Sequence, residues 1–101
     1  MALRAPVNTE IYGSIEEGDE VYHEIYLYQG ESFDILLEAD DDEVDIDLYI
    51  ADKAGNVLYK DEDRSSEATI CIQPGKTAIY TLVVKAADGD TDYTLKIQER
   101  S

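Results

Sequence analysis

The chain has 101 residues, 44% of them apolar, which is one domain's length and enough to close a single core without disulfide or metal staples. Its 24 acids against 8 bases give a formal net charge of −16, a surface that repels phosphate and argues against nucleic acid and anionic membrane as partners. Cys71 is the only cysteine, so no intrachain disulfide forms, and no apolar run is long enough to span a bilayer as a helix.

Residues 1–9 lack periodicity and contain Pro6, so they are expected to form a flexible arm ahead of one domain over 10–101. Met1 to Pro6 is too short for a signal peptide, which leaves either an exported protein without its leader or an intracellular one. Glu10 to Ile15 alternates Ile11, Gly13 and Ile15 against Tyr12 and Ser14, and ends in the acidic turn Glu16-Glu17-Gly18-Asp19. Val21 to Tyr28 is the clearest strand. Val21, His23, Ile25 and Leu27 share one face; Tyr22, Glu24, Tyr26 and Tyr28 share the other.

After Gln29-Gly30-Glu31, Ser32 to Ala39 points Phe33, Ile35 and Leu37 inward, and Leu36 on the outer side hints that this face is partly covered. An acidic connection leads into Asp45-Ile46-Asp47-Leu48-Tyr49-Ile50, a strand with Ile46, Leu48 and Ile50 inside and Asp45, Asp47 and Tyr49 outside. Asp52, Gly55 and Asn56 then turn the chain back, since Gly and Asn tolerate the positive φ of a tight connection. Val57 to Lys60 is a short strand and Asp61 to Ser66 a polar loop.

Ala68, Ile70 and Ile72 mark the next strand, stopped at Gln73-Pro74-Gly75 because proline has no N–H for the ladder. Ala78 to Ala86 alternates Tyr80, Leu82 and Val84, and the added Ile79 and Val83 make both faces apolar, as befits a central strand. Tyr93, Leu95 and Ile97 close the domain after the turn Ala87 to Asp90. About eight strands with turns every eight to twelve residues predict an all-β, jelly-roll-like antiparallel β-sandwich. Its core is expected to hold Ile25, Leu27, Phe33, Ile35, Leu37, Ile46, Leu48, Ile50, Ile70, Leu82, Val84, Leu95 and Ile97.

The order of these signals resembles the bacterial pre-peptidase C-terminal domain family. The resemblance runs from Tyr12 to Gln98 and is carried by five pieces. These are Gly13-Ser14-Ile15 with Gly18-Asp19, Gly30, Asp45 to Ile50 with Gly55, Pro74-Gly75 before Tyr80 to Val84, and Tyr93 to Ile97. It implies a β-sandwich module of the kind appended to secreted proteases, among them the collagen-binding modules of collagenases. It therefore implies an extracellular or cell-surface location, and a polymeric or protein ligand or an attached protease as partner. In collagen-binding relatives calcium is held by an N-terminal arm and aspartates at and near the place of Asp19, so the resemblance points to Asp19, to which the crowded acids of the next acidic stretch add Asp45 and Asp47 as candidate metal ligands. The chain departs from that pattern: Val21 stands where relatives often carry a second aspartate, and Ala5-Pro6-Val7-Asn8 replaces a Glu-Pro-Asn type of arm.

Two sets of residues are candidates for function. Tyr22, Tyr26 and Tyr28, with Tyr49 from another strand, would offer rigid rings with hydroxyls suited to an extended polysaccharide or fibrous protein. The plainer role for outward tyrosines is cross-strand packing, which stabilises each pair by roughly 0.2 to 1 kcal/mol. The acids from Asp40 to Asp47, and Asp88-Gly89-Asp90-Thr91-Asp92, bear oxygen ligands for Ca2+, yet neither has the spacing of a calcium loop, and solvated turns are the plainer role. His23 on an apolar strand face reads as a hydrogen-bonded core imidazole, and Cys71 as a buried structural thiol. No nucleophile elbow is present. The expected function is a non-catalytic accessory module of an exported protein, with a calcium-stabilised structural or adhesive domain as the alternative.

Overall fold

The computed structural model describes residues 8–100, which form eight strands and no helix. They are β1 (Asn8–Ile15), β2 (Glu20–Leu27), β3 (Ser32–Ala39), β4 (Asp45–Ala51), β5 (Val57–Asp61), β6 (Glu67–Ile72), β7 (Ala78–Asp88) and β8 (Thr91–Arg100). Each lies where alternation places it, within a few residues. The chain enters β1 at Asn8, so Asn8 and Thr9 are strand, and the rest of the expected arm lies outside the described residues.

The first sheet has the order β1-β8-β3-β6 and the second β2-β7-β4-β5, all neighbours antiparallel. Successive strands thus fall in alternating sheets as well as in hairpins, which is the strand order of a jelly roll. β7 and β8, paired on both sides, are the longest strands, at 11 and 10 residues. The two inner faces meet in one core. Leu27, Phe33, Ile35, Leu37, Ile46, Leu48, Ile50, Leu82, Val84 and Leu95 are fully buried, with Ile70 and Ile97 nearly so. Ile25 is only half-buried because β2 is an edge strand, and Tyr80 and Tyr93 extend the core beyond the expected set.

One polar contact crosses that core. His23 Nε2, reaching in from β2, lies 2.7 Å from the Tyr93 hydroxyl on β8 of the opposite sheet, and burial lowers the histidine's pKa. The Tyr93 ring packs over Gly13, its register partner on β1. A Cβ there would fall 2.5 Å from the Tyr93 oxygen, so the glycine's missing side chain makes the ring's place. The only histidine is thus an inter-sheet structural group, as its apolar surroundings suggested.

Turns obey the residue chemistry. Gly55 takes φ 91 in the β4–β5 hairpin, while Asn56 stays at negative φ and instead donates through its backbone N and Nδ2 to the Asp52 carboxylate. Those bonds hold the Asp52 carboxyl below the usual range.

Cys71 corrects the sequence reading. It is exposed rather than buried, because Ile70 and Ile72 take the inward positions of β6 and leave it facing out. Its register partner is Asp34, and the Arg100 guanidinium, 2.8 Å from Asp34, donates to the sulfur at 3.7 Å. The neighbouring carboxylate dominates over the guanidinium and pushes the thiol pKa up, so the cysteine is not activated.

Candidate functional site

The two outer faces of the sandwich differ in chemistry. Across the first sheet the register runs Tyr12, Thr94, Glu38, Glu67 and, one row on, Glu10, Lys96, Leu36, Thr69, an ordinary solvated surface. Across the second sheet one row reads Tyr22, Val83, Tyr49, Lys60 and another reads Tyr26, Ile79. Directly opposed residues share a face, so both rows lie on one side of the sheet, with the row Glu24, Thr81, Ala51 between them; together they make an aromatic and aliphatic patch interrupted by Glu24 and Thr81. Tyr22 is 62% exposed, Tyr26 53% and Ile79 40%, whereas Val83, beneath the tyrosines, is 9% exposed.

Each ring is fixed by a neighbour. The Tyr22 hydroxyl donates to Glu20 Oε2 at 2.7 Å, and the Tyr49 hydroxyl to Glu62 Oε2 at 2.6 Å, with Lys60 bridging to Glu62 at 3.0 Å. Burial and the nearby carboxylates push the Tyr49 pKa up, so it remains a neutral donor at any ordinary pH. Tyr26 meets Tyr28 edge to face, with ring centroids 5.2 Å apart. Tyr28 itself lies one residue past β2 and packs half-buried against the core, so it supports the patch from its end rather than extending the row. Of the four tyrosines named from sequence, Tyr22, Tyr26 and Tyr49 share the face. Ile79 and Val83 complete it; the doubled apolar pattern of β7 was their only sequence signal.

The three aspartates expected to hold calcium do not converge. Asp19 sits in the turn before β2, with its backbone carbonyl accepting from Ala86 N, whereas Asp45 and Asp47 lie on β4. Among the described residues, no group of three or more His, Cys, Asp or Glu side chains is arranged to hold a metal ion. Asp47 nevertheless departs from expectation. It points to the outer face yet is only 6% exposed, opposite Lys85 in register, and its Oδ1 has no hydrogen-bond partner. Burial, helped by Asp45 and Glu62 and opposed by Lys85, pushes its carboxyl up to about 6.

The arrangement of strands has counterparts among solved structures. The pre-peptidase C-terminal domain of collagenase from Bacillus anthracis matches 90% of this chain and 89% of its own, at a TM-score of 0.67 and 22% identity. The chain has a pre-peptidase C-terminal-like fold. The same architecture is similar to the Yersinia pseudotuberculosis-derived mitogen, at a TM-score of 0.76 and 12% identity over 93% of this chain and 86% of that one. It is also similar to PliG of Aeromonas hydrophila, a periplasmic inhibitor of g-type lysozyme, at a TM-score of 0.69 and 6% identity over 99% and 92%. No family model and no curated protein matches the chain. At these identities the pre-peptidase C-terminal-like fold is what the chain shares, and the aromatic patch is a property of its own residues.

Proposed function

We propose that the domain is a non-catalytic binding module of an exported protein, which grips a polymeric or protein ligand with the outer face of its second sheet. The observation that carries this reading is the asymmetry of the two faces. The first sets Tyr12, 70% exposed, among Glu10, Thr94, Lys96, Glu38 and Glu67, and the second exposes Tyr22, Tyr26 and Ile79 on the face that also holds Val83 and Tyr49. Amphipathic rings give contact area with little ordering entropy, and those of Tyr22 and Tyr49 are held in place through their hydroxyls. An extended ligand lying across the rows would meet rings on β2 and β4 together. An attached protease domain is a further partner of the same kind, in keeping with the collagenase whose domain shares the fold. Export accords with the periplasmic setting of one similar structure. The sole histidine is engaged with Tyr93, which leaves it poorly placed for proton transfer.

The test is binding to insoluble collagen, chitin and cellulose by the parent chain and by Tyr22→Ser/Tyr26→Ser. Retention of the parent on one of these and a loss of about tenfold or more in the variant, with an unchanged circular dichroism spectrum, is the expected result. Equal retention of both proteins on every polymer that holds the parent would remove the aromatic face from the function.

A further inference from the structure

β2 is the edge of the second sheet, and its pairing with β7 runs through eight consecutive residues without a bulge. Among the described residues nothing pairs with its other side. The opposite edge of the same sheet is different: β5 has five residues, and its register with β4 shifts at Ile50/Ala51. A regular edge presents a row of free N–H and C=O groups, a template for one more strand unless something guards it. Proline and bulges are absent from β2, and the charges that keep like strands away from it, Glu20 and Glu24, are both acidic, so they leave it open to a basic strand.

Both faces of this edge have something to gain from a neighbour. On the inner side Val21, His23 and Ile25 are only half-buried. On the outer side Glu20, Tyr22, Glu24 and Tyr26 are all exposed. Residues 8–28 contain Glu10, Glu16, Glu17, Asp19, Glu20 and Glu24 and neither lysine nor arginine; Lys85 on β7 stands opposite Glu20, and Glu24 stands opposite Thr81. A second copy of the chain fits badly. Each molecule carries −16, and any pairing of two β2 edges brings the Glu20 and Glu24 of both copies onto one short ribbon with no lysine or arginine on either strand.

We propose that the free edge of β2 accepts, by strand addition, an extended segment of a partner protein in which lysine or arginine alternates with β-branched apolar residues. The period of two assigns each set its side. The bases lie beside Glu20 and Glu24, and the apolar residues cover Val21 and Ile25. The proposal rests on the reading of the domain as a binding module, but it uses backbone groups rather than the rings, so the two fail separately.

The probe is a synthetic peptide of about ten residues in which lysine alternates with valine, added to the full chain and followed by amide hydrogen exchange. Alternate amides of β2 are expected to slow by about tenfold or more, and methylating alternate peptide nitrogens is expected to weaken binding by a similar factor. Persistence of that protection in Tyr22→Ser/Tyr26→Ser, even where polymer binding is lost, also supports the edge. Absence of binding, equal binding by the methylated peptide, or slow exchange of the same β2 amides before any peptide is added would each overturn it.

Discussion

Asp47 shows how one side chain sets a pH dependence. Its carboxyl is raised from 3.8 to about 6, so the folded state disfavours its charged form. The associated stability is present in full below the ordinary value and is lost as pH rises through about 6. A shift of that size corresponds to a cost of up to about 3 kcal/mol when the group is ionised. Asp47→Asn is therefore expected to raise the unfolding free energy at about pH 8 by about 1 to 3 kcal/mol, with the gain fading below about pH 4. Urea titration of parent and variant at both pH values checks this. His23, whose pKa is lowered by burial, acts oppositely: its contribution is whole above the ordinary histidine value and falls as pH drops, but it is the same in both proteins and cancels. The alternation of β4 placed Asp47 outward correctly. Its burial was invisible there, because the neighbouring acids Asp61 and Glu62 and the opposed Lys85 come from other strands and loops.

Strands of similar apolar content differ in what they contribute. Leu48 on β4 is fully buried between the sheets, while Leu58 on β5 is 45% exposed on an edge strand beside a register shift. Leu48→Ala is expected to cost about 2 to 5 kcal/mol, as cavity-forming core changes do, and Leu58→Ser less than about 1 kcal/mol. Paired denaturation midpoints measure the contrast. The sequence separated these strands only by length, since a run such as Val57-Leu58-Tyr59 looks inward-facing until its neighbour is known. β7 was more informative, for its doubled apolar faces fit both its central place and the patch that Ile79 and Val83 build with the tyrosines. On β6 the same logic, followed strictly, turns Cys71 outward between Ile70 and Ile72. The burial habit of cysteines in general misleads at that position.

At the scale of the molecule, a net charge of −16 on a chain of 101 residues favours any state that spreads its charges, and unfolding does so. Added salt screens this repulsion over roughly 10 Å at 0.1 M, so the melting temperature is expected to rise between about 0.02 and 0.5 M sodium chloride. Calcium chloride at matched ionic strength is expected to raise it no further, because no group of three carboxylates among the described residues closes around an ion. An excess effect of calcium, reversed by a chelator, would instead identify a native-state site and revive the calcium-stabilised structural or adhesive reading. Differential scanning calorimetry in the two salts separates the cases.

Alternation at every second position is a local property, written in residues i and i+2; it determined the eight strands and the inward set from Leu27 to Ile97, and glycine's freedom at positive φ determined the turns at Gly55 and Gly89. It says nothing about which strand lies beside which, because the same pleat pairs equally well with many neighbours. Only the tertiary structure decided that β7 stands between β2 and β4, so that Tyr22 and Tyr49, 27 positions apart (49 − 22), flank Val83 on one face. It alone also left the edge of β2 open, buried Asp47 and set Arg100 beside Cys71. Each of these depends on contacts between segments far apart in the chain, whose closure reflects the packing of the whole sandwich rather than any short stretch of it.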